Sequence, residues 1–310
     1  MKGSRVKLVS YGKPGAYRAG IWLDNGIADL EQGMRLANLE DPVSDLRLLL
    51  SQQNWRDKLE RVAKAVDSME LLDPTSTRLG APIPQPGNVL LAGANTYSHL
   101  REAEPLVGKI NPPNRPMLIG RSTSSVCGPH DDIVLPPETK KLDYEVEIAA
   151  IIGKPCRRIT EDQANNHIAG FCVANDLSAR DIQIAEHEEV PLFKLTHYLG
   201  KSFDTFCPMG PALVTGDEID WAQPLRMCTT VNDGVRQDSD TSDLIYSISI
   251  LVSYASSIMT LNPGDVLLTG SPAGVANFME PPQFLQDGDL VRCQIEQIGA
   301  IENRVRREII

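Results

Sequence analysis

The segment over residues 143–147 carries the side chains with the clearest capacity for chemistry. Glu145 and Glu147 lie two residues apart in the apolar run over residues 142–152. In a β-strand, residues i and i+2 share one face, so both carboxylates are expected to point the same way from a mostly buried segment. Unpaired charges are costly in such surroundings. A hard divalent cation such as Mg2+ or Ca2+ is the simplest compensation, because both ions take oxygen ligands.

Asp176 supplies a third carboxylate, 29 residues after Glu147. Three carboxylates with no nearby histidine or cysteine favour Mg2+, Ca2+ or Mn2+ over zinc. Asp143 is in phase with Glu145, so a fourth carboxylate is expected to share that face or to lie at its solvent rim. The alternative is an exposed strand face with two solvated glutamates, and the apolar flanks over residues 148–151 argue against it.

A histidine and a glutamate at helical spacing form a second candidate. His99 and Glu102 are three residues apart in the segment 93–102, and residues i and i+3 are neighbours on a helix. A carboxylate beside a histidine orients the ring and raises its basicity, which gives a general base for activating water. The alternative is an ordinary His–Glu pair on a surface helix.

Two loops contribute a lysine and a serine. Lys201 lies between a glycine and a serine in the loop 200–205, where a fixed cation can stabilise a developing oxyanion. An ordinary surface lysine is the alternative. Ser271 lies in the loop 269–275, whose small residues allow a ligand to approach the backbone, and its hydroxyl can donate to a carboxylate. The alternative here is a tight loop without a ligand. The sequence shows no phosphate-binding loop, HExxH zinc motif or GxSxG nucleophile elbow.

The elements that must position these residues are predicted to form two units, divided at a proline-rich stretch. Residues 1–80 form a small N-terminal α/β domain, with a hairpin at Asp24-Asn25-Gly26 and helices at about 42–52 and 54–69. Residues 81–310 form the second domain. Its predicted elements are a helix opened by a capping box at Thr160 and reaching about Ile168, a buried strand over 171–174, a short helix over 179–188, a hairpin at Asn232-Asp233-Gly234, the longest helix over 241–259, and strands over 266–269, 290–295 and 301–305.

Composition limits the classes of partner. The chain has 310 residues, of which 42% are hydrophobic and 23% charged, as in a soluble globular protein. A formal net charge of −11 argues against nucleic acid and anionic membranes as partners. No apolar run reaches the ~20 residues that a bilayer requires. The six cysteines are scattered without a CxxC pair, which predicts reduced thiols in a cytoplasmic protein.

Five segments, in this order, resemble the fumarylacetoacetate hydrolase family. They are GANTYSHLRE (93–102), LDYEVEIA (142–149), NDLSARDIQ (175–183), GKSFDTF (200–206) and TGSPAGV (269–275). The resemblance covers about residues 85–308, and the N-terminal unit loosely resembles the small variable domain of many members. It implies an α+β, β-rich fold, in which a mixed β-roll or β-barrel-like catalytic domain carries peripheral helices. It also implies a homodimer.

The resemblance assigns expected roles to single residues. Mg2+, with Mn2+ or Ca2+ as alternatives, is expected to be held by Glu145, Glu147 and Asp176. The expected catalytic residues are His99 and Glu102 as a water-activating dyad and Lys201 beside the enolate or carbonyl oxygen, and the expected substrate contacts are Tyr97, Arg180, Gln183 and Ser271. Many members have threonine where Ser271 stands. The serine keeps the hydroxyl but has a looser rotamer, which affects the prediction of substrate preference.

The implied activity is hydrolysis of a carbon–carbon bond in a 2,4-dioxo acid, such as an acylpyruvate or an aromatic ring-cleavage product, through a metal-stabilised enolate. The dyad favours hydrolysis because that reaction needs a base for water. Decarboxylation of oxaloacetate-like acids, and isomerisation or tautomerisation of 2-hydroxy-diene-dioates, are alternatives on the same metal site. A non-catalytic, metal-stabilised protein is a further alternative. The apolar loop 275–285 suits a substrate with a hydrophobic tail.

Overall fold

A mixed sheet of ten strands organises the fold. The computed structural model describes residues 7–185, 189–190 and 194–309, so part of the helix predicted over 179–188 lies outside the described residues. The strands are β1 Lys7–Lys13, β2 Ala16–Leu23, β3 Gly26–Asp29, β4 Val89–Gly93, β5 Met117–Arg121, β6 Val126–Cys127, β7 Ile133–Leu135, β8 Leu142–Asp143, β9 Val146–Ile152, β10 Ile168–Asn175, β11 Ser178–Ala179, β12 Cys207–Thr215, β13 Arg226–Val231, β14 Gly234–Asp240, β15 Val266–Leu268, β16 Leu290–Ile295 and β17 Gly299–Arg307.

The helices lie around this framework. They are α1 Leu30–Leu36, α2 Leu46–Ser51, α3 Trp55–Ala65, α4 Tyr97–Val107, α5 Glu161–Ala164, α6 Arg180–Gln183, α7 His197–Gly200 and α8 Ile248–Ile258, with short 3-10 turns at Val66–Ser68, Thr123–Ser125, Gly216–Glu218, Thr241–Asp243 and Ala276–Phe278. None of the described helices is long and apolar enough to cross a membrane.

The large sheet has the order β3-β2-β1-β12-β10-β9-β15-β4-β5, and β6 pairs with β12. A second sheet has the order β14-β13-β16-β17-β7, and β8 pairs with β11. These are open sheets over the described residues, not a closed barrel, and the predicted α+β, β-rich fold class is confirmed.

Strands β9 and β10 are buried on both faces, which explains their near-continuous apolar sequence. On one face, Ile148 and Val173 join a core with the second sheet and α8. On the other face, Ile151 and Cys172 join a core with α1, α2 and α3. The N-terminal strands extend the large sheet, because Leu8 of β1 pairs with Leu213 of β12. The domain boundary at residue 80 stays a prediction.

Both predicted hairpins are present. Asp24 and Asn25 connect β2 to β3. Asn232 and Asp233 connect β13 to β14 with φ angles of 49° and 68°, as the turn favoured by tight hairpins requires. All six cysteines are free thiols, as predicted.

Two helix predictions were wrong in extent. The helix opened by Thr160 ends at Ala164, because the residues from Ile168 onwards pair with β9 instead. The segment 241–259 is not one long helix. A 3-10 turn is followed by a stretch that hydrogen-bonds to Asn95, and Ser247 then caps α8, which has 11 residues, the same length as α3 and α4.

Candidate metal centre and active site

The five sequence motifs meet at one edge of the large sheet because of its topology. Strands β4 and β15 are parallel, β9 runs antiparallel to β10 and β15, and β12 runs antiparallel to β10. The ends of β4, β10 and β15 therefore lie beside the beginnings of β9 and β12. The chain that follows or precedes each of these five strand ends carries one motif, so residues more than 100 positions apart share one site.

Glu145, Glu147 and Asp176 form a buried carboxylate cluster. One oxygen atom from each lies within 4.8 Å of the other two, and the three residues are at most 5% exposed. Glu147 lies in β9, whereas Glu145 lies in the short break before it. Hydrogen bonds hold the segment that carries Glu145 against the segment that carries Asp176. Asp176 N donates to Glu145 O over 2.8 Å. Glu145 N donates to Asn175 Oδ1 over 2.9 Å.

Three buried cations surround this cluster. Lys201 Nζ donates to Glu145 Oε2 over 2.6 Å and to Asp176 Oδ2 over 2.5 Å. Arg180 Nη2 donates to Glu145 Oε1 over 2.7 Å. Arg121 donates from Nη1 to Asp176 Oδ1. Glu147 differs from the other two carboxylates. Its Oε2 accepts from Gly270 N over 2.6 Å, but it forms no ion pair within the part of the chain that the structure describes.

The electrostatics of the two glutamates are opposite. Burial raises the pKa of Glu147 well above its ordinary value, and the nearby charges of Asp176 and Glu145 raise it further. Burial also acts to raise the pKa of Glu145, but the charges of Arg180 and Lys201 outweigh it and hold this pKa well below its usual range. The centre therefore keeps one carboxylate that forms no ion pair with a cation of the described chain.

This donor set fits a hard divalent cation. The converging ligand atoms are all carboxylate oxygens, and the residues that supply them are buried. Mg2+, Mn2+ and Ca2+ prefer such ligands, whereas zinc favours sites with histidine or cysteine. A cation here would neutralise Glu147, and it would share Glu145 and Asp176 with Lys201.

Asp143 is buried and is linked to the cluster through Arg180, so it does not lie at a solvent rim. It is fully buried and accepts from Arg180 Nε over 2.8 Å and from Ala276 N over 2.7 Å. Asp143 therefore orients Arg180, which also donates to Gln183 Oε1 over 2.9 Å. Gln183 contacts His197 Nδ1 at 2.9 Å through its amide nitrogen.

His99 and Glu102 meet as predicted from their spacing. Both lie on α4, and His99 Nδ1 is 2.6 Å from Glu102 Oε1. Glu102 Oε2 accepts from Gly274 N over 2.7 Å. The ring of His99 lies against Phe278, with centroids 5.6 Å apart. The contacts with Glu102 and Phe278 hold His99 in one orientation beside the loop that follows β15. The dyad is partly exposed, so His99 stays accessible to a substrate.

The remaining predicted contacts differ in their surroundings. Ser271 is 5% exposed, and its Oγ accepts from Gln237 Nε2 over 2.8 Å. Tyr97 lies at the start of α4 and is 43% exposed. The structure brings Arg180, Gln183 and Ser271 around the carboxylates, while Tyr97 lies at the surface. Their roles toward a substrate stay predictions.

Sequence reasoning missed Arg121, Gln237 and His197. Arg121 is fully buried at the end of β5 and links Asp176 to the carbonyl of Phe206, over 2.6 Å to the latter. No motif marks these residues. Arg121 and Gln237 reach the site only through tertiary packing, and a charge or an amide inside an otherwise apolar strand is the sequence signal that would have pointed to them.

A concavity of about 930 Å3 lies elsewhere, between α3, β10 and the segment 241–250. Trp55, Phe171 and Trp221 contribute to its wall. It contains none of the predicted site residues, so the chemistry of the carboxylate cluster, and not cavity size, identifies the candidate site.

Comparison with known proteins agrees with this arrangement. A family model described as the C-terminal part of fumarylacetoacetate (FAA) hydrolase matches residues 88–306. The chain belongs to the fumarylacetoacetate hydrolase family. The expected resemblance is thereby confirmed, and the match contains every predicted site residue.

Relatives within the family are enzymes with different reactions. The chain is 43% identical over 225 residues to the mitochondrial oxaloacetate tautomerase FAHD2A of Bos taurus, covering 73% of this chain and 68% of the relative. The maleylpyruvate hydrolase of Sphingobium sp. SYK-6, solved with manganese(II) and pyruvate, superposes with a TM-score of 0.77 at 26% identity, covering 98% of this chain and 100% of that chain. The 2-hydroxyhepta-2,4-diene-1,7-dioate isomerase of Mycobacterium marinum gives 0.72 at 29%, covering 98% and 99%.

Proposed function

We propose that this protein interconverts the enol and keto forms of oxaloacetate, or of a closely similar 2-oxo acid. The reaction passes through an enolate at a divalent cation site. The observation that carries the proposal is the buried cluster of Glu145, Glu147 and Asp176, with Lys201 Nζ within 2.6 Å of two of its carboxylates. The tautomerase relative from Bos taurus supports the choice of substrate and reaction. Hydrolysis was the activity expected from the motifs, and it becomes the second candidate.

The chemistry requires one proton to leave oxygen and one to reach carbon. The enol loses the proton of its 2-hydroxyl group to water, and carbon 3 of the resulting enolate gains a proton from the protonated His99 ring, which water reprotonates. One proton leaves and one arrives, so atoms and charge balance without a further co-reactant. A bound divalent cation would supply charge stabilisation for the enolate oxygen. Electrostatic stabilisation of this kind is usually the largest contribution to such reactions.

The chain's own residues have distinct roles in this proposal. Lys201 lies beside two of the carboxylates and supplies a fixed positive charge for the enolate oxygen. His99, oriented by Glu102 over 2.6 Å, moves the proton at carbon 3. Arg180 and Ser271 bind the substrate carboxylates, since one is a buried guanidinium and the other a hydroxyl that can donate a hydrogen bond.

Hydrolysis of a 2,4-dioxo acid remains the second candidate because of the His99–Glu102 geometry. A histidine paired with a carboxylate can take a proton from water, which then attacks the distal carbonyl. The carbon–carbon bond breaks, a second carboxylic acid leaves, and the enolate is protonated. The maleylpyruvate hydrolase neighbour supports this alternative.

A substrate assay separates the two candidates. Purified protein with Mg2+ is mixed with enol oxaloacetate and, separately, with acylpyruvates, and the ultraviolet absorbance of the enol is followed with product analysis. Accelerated loss of the enol without CO2 or a second acid supports tautomerisation. Release of a second acid from acylpyruvates supports hydrolysis, and CO2 release supports decarboxylation. No acceleration on any of these substrates would refute both candidates.

Mg2+ as the physiological ion, the homodimer and the cytoplasmic location are also proposals. Metal analysis of the purified protein tests the first, and sedimentation equilibrium tests the second. Localisation in intact cells tests the third, and the mitochondrial label of the Bos taurus relative makes this test necessary.

A further inference from the structure

The side chain of Gln237 joins the metal-ligand strand to the Ser271 loop. Gln237 lies in β14 and is fully buried. Its Oε1 accepts from Val146 N over 3.0 Å and from Thr229 Oγ1 over 2.7 Å. Its Nε2 donates to Ser271 Oγ and to Pro272 O, both over 2.8 Å. Val146 lies between two of the carboxylates, so one amide connects both halves of the site.

The orientation of this amide follows from its partners. Val146 N can only donate, so the atom that faces it must be the amide oxygen. Pro272 O can only accept, so the atom that faces it must be the amide nitrogen. Ser271 Oγ therefore receives a hydrogen from Gln237 and keeps its own hydrogen for another acceptor.

That hydrogen has no good acceptor among the described residues. The hydroxyl of Ser271 lies 3.4 Å from Pro272 O, which is longer than an ordinary O–H···O bond. A substrate carboxylate is the acceptor that completes the arrangement, since a charged acceptor forms the stronger bond.

We infer that Gln237 is a positioning residue that presets Ser271 as a hydrogen-bond donor for a substrate carboxylate. Gln237 acts through Ser271 and does not itself touch the substrate. The inference rests on the proposed function, because it deepens the account of how the same site binds a 2-oxo acid.

Gln237→Glu is the sharpest test because it replaces the donating NH2 group of the amide and keeps the accepting oxygen. The new carboxylate still accepts from Val146 N and Thr229 Oγ1. In its ionised form it cannot donate to Ser271, so the serine hydroxyl turns toward it and is lost to the substrate. We expect KM for the oxo acid, and the Kd of pyruvate measured calorimetrically with Mg2+ present, to rise about ten- to hundredfold, with kcat within about threefold of the unaltered enzyme.

Two further variants separate positioning from mere stability. Ser271→Ala is expected to raise Kd by a similar factor, and the double variant Gln237→Glu/Ser271→Ala to add no further loss, because both changes remove one interaction. Thr229→Val is the matched control. It removes a bond to Gln237 Oε1 and leaves the bond to Ser271, so its Kd is expected to stay within about twofold.

The outcomes are distinguishable. A rise in Kd for Gln237→Glu that is not additive with Ser271→Ala supports the inference. An unchanged Kd, additive losses, or an equal rise in Thr229→Val overturns it, and so does a lowered Tm without a change in Kd. If the unaltered protein neither binds pyruvate nor turns over an oxo acid, the proposed function itself has failed.

Discussion

Lys201 Nζ lies 2.6 Å from Glu145 Oε2, and both side chains are almost completely buried. The same carboxylate belongs to the cluster that suits a divalent cation. Burial acts to lower the pKa of Lys201, but Asp176 and Glu145 outweigh this and raise it. Lys201 therefore carries its charge in the site at neutral pH, and it compensates two of the carboxylates in the absence of metal.

Replacing Lys201 by methionine is expected to separate catalysis from metal binding. The change removes the charge beside the enolate oxygen, so kcat should fall at least a hundredfold. The metal-free protein should lose about 3 kcal/mol or more of its free energy of unfolding, because two buried carboxylates lose a partner. Bound Mg2+ should restore part of this loss. The enol assay measures kcat, calorimetric titration measures Mg2+ binding, and thermal unfolding with and without Mg2+ measures the change in stability.

Lys64→Met is the control, since Lys64 is exposed on α3 far from the carboxylates in sequence. Lys64→Met should leave kcat and the free energy of unfolding unchanged. Full activity in Lys201→Met would contradict the role assigned to the lysine, whereas complete loss of Mg2+ binding would show that the lysine is needed to build the metal site.

Glu147→Gln is expected to weaken Mg2+ binding at least tenfold and to lower activity, with partial recovery at high Mg2+ concentration. Glu147 is the carboxylate of the cluster without an ion pair among the described residues, so a bound ion would supply its missing counter-charge. An amide oxygen still accepts from Gly270 N but carries no charge. Isothermal titration with Mg2+ measures the change. Equal affinity in the two proteins would exclude Glu147 as a ligand.

The same residue predicts how the metal-free protein responds to pH. The pKa of Glu147 is raised in the folded protein above its ordinary value of 4.5. Its contribution to stability is therefore present below about pH 4.5 and is lost as the pH rises through the folded pKa. Metal-free Glu147→Gln should be more stable than the unaltered protein at pH 8, and the difference should shrink at pH 5. Thermal unfolding of both proteins in EDTA at the two pH values measures this difference in stability.

Stabilisation by Mg2+ should also grow with pH, because protons and the ion compete for Glu147. If the shift in Tm caused by Mg2+ were the same at pH 5 and pH 8, the electrostatic account of Glu147 would be wrong. Glu145 does not confuse this test, since its pKa is lowered and its contribution changes only at more acidic pH.

Much of the site was predictable because its residues are close in sequence. His99 and Glu102 are brought together by one helical turn. Glu145 and Glu147 are two residues apart, although Glu145 lies in the break before β9 and not in the strand as expected. Both relationships need no tertiary information, so pattern reasoning recovered them. The tight hairpin at Asn232 and Asp233 was predictable for the same reason.

The contacts that the sequence patterns did not predict depend on tertiary packing. Arg121 reaches Asp176 because the end of β5 packs against the segment before β12, where Arg121 also donates to Phe206 O. Gln237 reaches Val146 because two sheets pack face to face. The helix predicted to reach Ile168 failed for a similar reason, since pairing with β9 outweighs local helical preference. Register and sheet packing are properties of the folded chain, and a local pattern does not contain them.

His99→Ala is expected to lower kcat a hundred- to ten-thousandfold and to leave the Kd of Mg2+ unchanged. His99 contacts Glu102 and Phe278, and it is not one of the clustered metal ligands. His130→Ala, at an exposed position, is the control and should keep full activity. A comparable loss of bound metal in His99→Ala would refute its assignment to proton transfer.

The central claim is that the buried carboxylates hold a divalent cation on which oxo-acid turnover depends. Its most direct test is the rate of enol oxaloacetate conversion by the purified protein, measured with Mg2+, after removal of metal by EDTA, and after Mg2+ is restored. We expect a rate well above the uncatalysed reaction that disappears with EDTA and returns with Mg2+, and that Glu147→Gln recovers only at higher Mg2+ concentration. Full turnover in metal-free protein, with Glu147→Gln unaffected, would contradict the account.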